Sequence, residues 1–290
     1  MLLWVTVIKL MNKKIKLIAL DLDDTTLRSD ASLAPETAEA IALAQSKNIE
    51  VVIASGRAFK SLPKAVLAID GLRYAISSNG AAIENIADGT RLMSFTLKPQ
   101  SVQEILDVFA GERFEAFIDG QPYCDVDYHA DPLRFGCSIA YVDYVRTTRL
   151  PVDDMPAFIK ENIERLDSID VLCQTVRHKN ELWDRAKRLQ GVYVTSSSPR
   201  LIEISDSRAG KGAALKRLAQ MLSVAPEHIA AFGNGDNDAD MLSFAGLGIA
   251  VANASEKCLA AADCICPEND ENGVAQTIEK LLTSEVNPKS

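Results

Sequence analysis

Short apolar runs that end on acids, hydroxyls or glycines recur along this 290-residue chain, and they limit its fold more than any other feature. The run Lys14 to Leu22 (KIKLIALDL) drives into Asp21, Asp23 and Asp24. Its length and Ile/Leu content suit a strand buried on both faces of a parallel sheet. Pro35 to Lys47 carries Ala38, Ile41, Ala42 and Ala44 at helical spacing, with Pro35 suited to a first helical turn. Glu50 to Ala54 (EVVIA) predicts a second buried strand, Ala58 to Ile69 a helix started or interrupted near Pro63, and Tyr74 to Ser77 a third strand. Three strands separated by helices make a βαβαβ unit, hence a parallel sheet with right-handed crossovers.

The rhythm returns near the C-terminus. Lys211 to Leu222 reads as an amphipathic helix and His228 to Phe232 (HIAAF) as a strand entering the turn Gly233-Asn234-Gly235-Asp236. A helix over Asn237 to Phe244, a strand over Leu247 to Val251 and helices over Glu256 to Ala262 and Gly273 to Leu282 follow. The middle differs. From about Ala81 to Ser198 aromatics concentrate, and strand-like runs (AAIENI, RLMSFTL, FEAFIDG, IDVLCQTV, GVYVTSS) mix with helices near 99–110, 155–166 and 178–190. The expected fold class is therefore α/β: a Rossmann-like parallel-sheet core, residues 11–82 and 199–290, interrupted by an inserted α+β module at 83–198.

Charge narrows the partners. The chain has 31 Lys and Arg against 40 Asp and Glu, a net −9, which argues against nucleic-acid backbone binding. No run reaches the roughly 18 apolar residues a membrane span needs, so no membrane partner is expected. The opening MLLWVTVIKLMNKK lacks a leading basic region and a small-residue cleavage site. Met11 looks the more natural start, with residues 1–10 an upstream extension. The six cysteines form no paired CxxC framework and read as reduced thiols in a cytoplasm. Cys264 and Cys266 would share one face of a strand, where packing is the expected role. A monomer is the default expectation, with a homodimer open.

Chemistry gathers where predicted strands end, the edge at which open parallel sheets bind ligands. In Asp21-Leu22-Asp23-Asp24-Thr25, two carboxylates at i and i+2 point the same way; removing both from water needs a cation or donors. Ser55-Gly56-Arg57 puts a hydroxyl and a glycine at a predicted helix start, suited to an anionic oxygen or to a simple cap. Lys211, at another helix start, runs against the helix dipole and calls for an anion to neutralise. Gly233 to Asp238 (GNGDND) is an oxygen-rich turn suited to a hard cation such as Mg²⁺. None of these is a P-loop, a dinucleotide fingerprint or an EF-hand. His129, His178 and His228 sit outside any nucleophile elbow.

Together the four segments resemble the haloacid dehalogenase superfamily. Asp21 to Thr25 is similar to its DxDx[TV] motif, Ser55 to its second-motif hydroxyl, Lys211 to its third-motif lysine and Gly233 to Asp238 to its GDxxND motif. Their order, the insert, Ser78-Asn79-Gly80-Ala81 and Asn269 to Ala275 resemble the Cof-type, class IIB capped phosphatases. That resemblance implies a Mg²⁺-dependent phosphatase acting on a small phosphorylated metabolite, such as a sugar phosphate or a flavin- or vitamin-pathway intermediate. Asp21 would be the nucleophile that forms an aspartyl-phosphate, and Asp23 the acid and base. Lys211 would complete the catalytic set. Ser55, Gly56, Arg57, Asn79 and Asn237 would bind substrate, while Asp21, Asp23, Asn234 and Asp238 would serve the metal. Asp238 would orient either metal-bound water or Lys211. The family's fourth-motif aspartate is Asn234 here, which removes one negative charge unless Asp236 or Asp238 compensates. A phosphotransferase or mutase would use the same residues, and a weakly active phosphate-binding regulator is the remaining alternative.

Overall fold

The computed structural model describes residues 14–284. The expected extension at 1–10, and the ends of the outer segments at 11–13 and 285–290, lie outside them. Fourteen strands are described: β1 (Leu17–Leu20), β2 (Glu50–Ala54), β3 (Tyr74–Ser77), β4 (Ala82–Asn85), β5 (Arg91–Ser94), β6 (Arg113–Ile118), β7 (Gln121–Asp125), β8 (Leu150–Val152), β9 (Leu166–Leu172), β10 (Val192–Thr195), β11 (Leu201–Asp206), β12 (Ile229–Gly233), β13 (Leu247–Val251) and β14 (Cys264–Cys266). They form an eight-stranded sheet, ordered β14-β13-β12-β1-β2-β3-β4-β5, and a six-stranded sheet, ordered β10-β11-β9-β6-β7-β8.

The larger sheet is parallel from β14 to β3. Its central strands are apolar throughout because both faces are covered. Ile18 and Leu20 pack into one layer, while Leu17 and Ala19 pack into the other. Strand order reverses between β1 and β12, so the crevice at their carboxyl ends is the natural ligand position. Asp21 follows β1 there, and Asn234 follows β12.

The smaller sheet is antiparallel except for the β7–β8 pair. Its strands alternate in character, as a sheet with two different faces requires. Phe114, Ala116, Ile169, Val171, Ile202 and Ile204 pack into one apolar cluster with the helices Pro99–Val108, Met155–Glu161 and Val176–Ala186. Glu115, Asp170 and Glu203, the residues between them, line a cavity on the opposite face.

The change of sheet does not coincide with the expected passages at 82/83 and 198/199. β4 and β5 run antiparallel onto β3 and prolong the larger sheet to Ser94, and β11 belongs to the smaller sheet up to Asp206. The physical cause of the first shift is a tight turn. Ser78, Asn79 and Gly80 all have positive φ (46°, 53° and 84°), which folds β4 directly back on β3. A Cβ at Gly80 would sit 2.3 Å from the Gly210 carbonyl oxygen, so the turn also packs against the loop before Lys211. The expected helix over Ala58 to Ile69 is instead one 3₁₀ turn, Phe59–Ser61, and a four-residue helix, Lys64–Leu67, split at Pro63. Consequently no helix starts at Ser55. Cys264 and Cys266 share a face as expected, and all six cysteines are free thiols.

Candidate active site

Asp21 leaves β1 with its backbone N–H donated to the Phe232 carbonyl (3.1 Å), which fixes it beside the β12 loop. The chain then turns tightly over Leu22–Thr26, with Asp24 in the left-handed region at φ 52°. This turn swings Asp23 and Asp24 onto the same cavity as Asp21. The Asn269–Asn272 segment holds the turn from behind: Asn269 Nδ2 donates to the Leu27 carbonyl at 3.1 Å, and Arg28 donates to Asn272 Oδ1 at 3.2 Å.

Lys211 opens the helix Lys211–Met221 and is only 1% exposed. Its ammonium donates to Asp21 Oδ1 and to Asp238 Oδ1, each at 2.6 Å. The anion that a lysine at a helix start requires is thus a pair of carboxylates. Two buried carboxylates sharing one cation are under-compensated, and the effect falls on Asp21. Burial and the nearby Asp238 push its pKa up to about 7, outweighing the attraction of Lys211. The same pair, with burial opposing, holds the Lys211 ammonium well above its ordinary value.

Asp238 has no free oxygen. Besides Lys211, its Oδ2 accepts the backbone N–H groups of Asn234 (3.0 Å) and Gly235 (2.8 Å). Of the two roles expected for Asp238, orienting metal-bound water or Lys211, its contacts match the second, and they also shape the loop after β12. Asp236 is turned aside, accepting from Ser255 Oγ at 2.7 Å, and does not line the cavity. Neither carboxylate therefore makes up for the neutral amide of Asn234, which does line it.

Of the expected substrate-binding residues, Gly56, Arg57 and Asn237 reach the cavity, while Ser55 and Asn79 stand one layer back. Ser55 Oγ accepts the Arg57 N–H (3.1 Å) and steadies the turn. The Asn79 side chain accepts from Asn237 Nδ2 (2.9 Å) and donates to Glu203 Oε1 (3.0 Å). Its backbone carbonyl accepts the Gly210 N–H (2.8 Å). Asn79 therefore joins the β12 loop, the Lys211 helix and the smaller sheet. Gly56 is tightly enclosed: a Cβ would lie 3.2 Å from both Asn79 Oδ1 and Glu203 Oε1, so either side chain would have to give way slightly.

Asp23 and Arg57 form a two-pronged ion pair, Nε–Oδ2 at 2.9 Å and Nη2–Oδ1 at 2.5 Å. The guanidinium also lies 4.1 Å from the centre of the Tyr144 ring, and Arg149 lies 4.2 Å from the same centre. Tyr144, Arg149, Glu115, Asp170 and Glu203 were not singled out from sequence. Only the aromatic richness of the insert and the alternation in LIEIS hinted at them. With Asp21, Asp23 and Asn234 they bound one cavity of about 580 Å³ between the two sheets. None of the three histidines lines it; His129, for example, meets the Arg146 carbonyl at 3.1 Å.

No group of three or more His, Cys, Asp or Glu side chains is arranged to hold a metal among the described residues. The donors that line the cavity beside Asp21 are oxygens: its own carboxylate, those of Asp23 (paired with Arg57) and Asp24, and the Asn234 amide. That set fits Mg²⁺, which takes one or two carboxylates and keeps several waters, and it offers nothing to a soft cation. An added cation would also relieve the crowding that raises Asp21.

Comparison with known proteins agrees with this geometry. The profile of the haloacid dehalogenase-like hydrolase family matches residues 18–278. Phosphatase YwpJ of Bacillus subtilis is 31% identical over 286 residues, covering 92% of this chain and 100% of the relative. The 5-amino-6-(5-phospho-D-ribitylamino)uracil phosphatase YwtE of the same organism is 30% identical, covering 93% and 99%. A solved haloacid dehalogenase-like hydrolase from B. subtilis superposes with a TM-score of 0.78 at 29% identity, covering 91% of this chain and 99% of that one.

Proposed function

We infer the reaction from one premise: the chain belongs to the haloacid dehalogenase-like hydrolases of Cof type and is an enzyme of the phosphatase kind. We propose that it hydrolyses the phosphate ester of a small metabolite, a sugar phosphate or a flavin- or vitamin-pathway phosphate, through an aspartyl-phosphate on Asp21. The observation that carries this reading is the buried Asp21–Lys211–Asp238 arrangement, whose Asp21 lines the cavity between the two sheets.

In this proposal an Asp21 carboxylate oxygen attacks phosphorus, and the bond from phosphorus to the ester oxygen breaks. Asp23, on the cavity wall, gives its proton to the departing oxygen. It then takes a proton from water as that water's oxygen attacks the aspartyl-phosphate, freeing inorganic phosphate and restoring the Asp21 carboxylate. Lys211 has three N–H donors and spends two on carboxylates, so one remains for a phosphoryl oxygen. Ser55, one layer behind the cavity wall, accepts from Arg57 and steadies the turn that presents Gly56 and Arg57. Asp238 positions Lys211. Mg²⁺, when bound, supplies positive charge beside the phosphoryl oxygens. Asp21, the Asp23 backbone carbonyl and Asn234 would hold it. The roof of the cavity excludes bulk water.

Six free thiols, four of them buried, accord with the reducing cytoplasm proposed as its location. No helix among the described residues is long and apolar enough to cross a membrane. Phosphate release from a panel of esters with Mg²⁺ tests the reading. Asp21→Asn should lower kcat by roughly 10³-fold or more while the protein stays folded. Release that survives in that variant would remove Asp21 from its role.

A further inference from the structure

Three carboxylates stand abreast on the smaller sheet. In the ladder, Asp170 of β9 faces Glu115 of β6 on one side and Glu203 of β11 on the other. Directly opposed residues share a face of the sheet, so the three project together into the cavity that holds Asp21. All three are buried: Glu115 is 2%, Asp170 5% and Glu203 3% exposed.

The two outer members are fully engaged. Arg149 clamps Glu115 with Nε and Nη2, both at 3.0 Å. Glu203 accepts from Asn79 Nδ2 and from Ser197 Oγ, both at 3.0 Å, and also from the Ser197 backbone N–H. Asp170, between them, has no hydrogen bond or ion pair among the described residues. With no protein partner, a carboxyl that is 5% exposed at the cavity wall can be satisfied only from the cavity side, by water or by a ligand. Burial together with Glu203 and Glu115 raises its proton affinity well above the usual carboxylate range. Glu115 and Glu203 are occupied by protein groups, so Asp170 is the position on this wall left for a ligand atom. Asp170 is on the smaller-sheet wall of the cavity and Asp21 on the larger-sheet wall, so a substrate whose phosphate is at Asp21 would present its organic part to the wall that carries Asp170.

We propose that Asp170 is the specificity-determining residue of this site, and that it selects phosphate esters whose leaving group carries hydrogen-bond donors. The inference rests on the phosphatase reading and adds a substrate class to it. Hydroxyls of a polyol or sugar, and an amine, supply the same donor chemistry. A leaving group without donors would leave the Asp170 carboxyl oxygen unpaired in the cavity and bind less well.

The test compares three kinds of ester with Mg²⁺: glucose 6-phosphate and ribose 5-phosphate (hydroxyls), 2-aminoethyl phosphate (amine) and p-nitrophenyl phosphate (no donor on the leaving group). The wild-type kcat/KM should favour at least one donor-bearing class over p-nitrophenyl phosphate by tenfold or more. In Asp170→Asn and Asp170→Ala that ratio should fall by at least tenfold, chiefly through KM. Which donor-bearing class is preferred decides between hydroxyls and amine. Affinities measured by calorimetry on Asp21→Asn, with and without Asp170→Asn, repeat the comparison without turnover. A wild type that binds these esters but releases no phosphate would sink the phosphatase reading and leave the Asp170 ratio measurable. Absence of any donor preference in the wild type, or a ratio unchanged by both Asp170 variants, overturns the inference.

Discussion

Asn234 sits where a chain built to hold a divalent cation tightly would place a carboxylate. Its neighbours do not replace the missing charge. Asp236 is spent on Ser255, and both oxygens of Asp238 are spent on Lys211 and on backbone N–H groups. Affinity for a hard cation depends on the charge of its ligands, so Asn234→Asp should lower the Mg²⁺ concentration for half-maximal activity by roughly tenfold. The same variant puts another negative charge beside Asp21, which already titrates near 7 because of burial and Asp238. Its melting temperature should therefore fall below wild type in a chelator and recover in Mg²⁺. A melting temperature indifferent to the metal would show that residue 234 does not face the cation.

Elements differed in how openly the sequence announced them. β1, β2, β3, β12 and β13 are short Val/Ile/Leu/Ala runs ending on chemistry; the structure has the last four within a residue of expectation, while β1 is the inner part, Leu17–Leu20, of the run expected from Lys14 to Leu22. The smaller sheet was harder to read. β7 (QPYCD) carries a proline, β8 is three residues long, and β11 alternates Ile with Glu and Ser instead of running apolar. The AAIENI strand was legible as a strand, but its partner depended on the three positive φ angles at Ser78 to Gly80, which no periodicity reveals. That strand also carries a charge into the sheet: Glu84 is 1% exposed, within 3.5 Å of Arg91 and hydrogen-bonded to Ser77 Oγ at 3.0 Å. Arg91 reaches on to Asp167 of β9 at 2.7 Å, so this cluster ties the two sheets. Burial raises Glu84 to about 7 from 4.5, with Asp167 adding to the rise and Ser77 and Arg91 opposing it. A carboxyl whose folded pKa is raised keeps its proton in the native state after the unfolded chain has lost it. Stability is therefore present below about 4.5 and is lost as pH rises towards 7, by on the order of 3 kcal/mol for this group. Glu84→Gln cannot ionise. Its melting temperature relative to wild type should climb between pH 5 and pH 8; a constant offset across that range would refute the assignment.

At the scale of the whole molecule, the site lies between two sheets, and one of the contacts that join them, beside Arg91–Asp167 and Asn79–Glu203, runs through an aromatic ring. Asp23 pairs with Arg57, Arg57 lies on one side of the contact with Tyr144, Arg149 also meets that ring, and Arg149 clamps Glu115. The first two belong to the larger sheet's loops and the last three to the inserted segment. The candidate site residues of the larger sheet could be read from four short segments, whereas this chain of contacts could not. It joins residues from four places, and its logic is alternating charge around a ring, a pattern with no fixed spacing. Each partly desolvated cation–π contact contributes about 1 to 2 kcal/mol. Tyr144→Leu removes both, so the closed arrangement should lose roughly 2 to 3 kcal/mol and kcat/KM should fall by roughly 30-fold. Tyr144→Phe keeps the ring and gives up the hydroxyl's contacts with Ser61 Oγ (3.4 Å) and with Arg149, so its loss should stay well short of the Leu variant's, about tenfold or less. Kinetics on both variants, with small-angle scattering to follow the separation of the two sheets, read the effect directly. Equal losses in the Leu and Phe variants would move the role from the ring to the hydroxyl, and no loss in either would mean that the sheets close without this clasp.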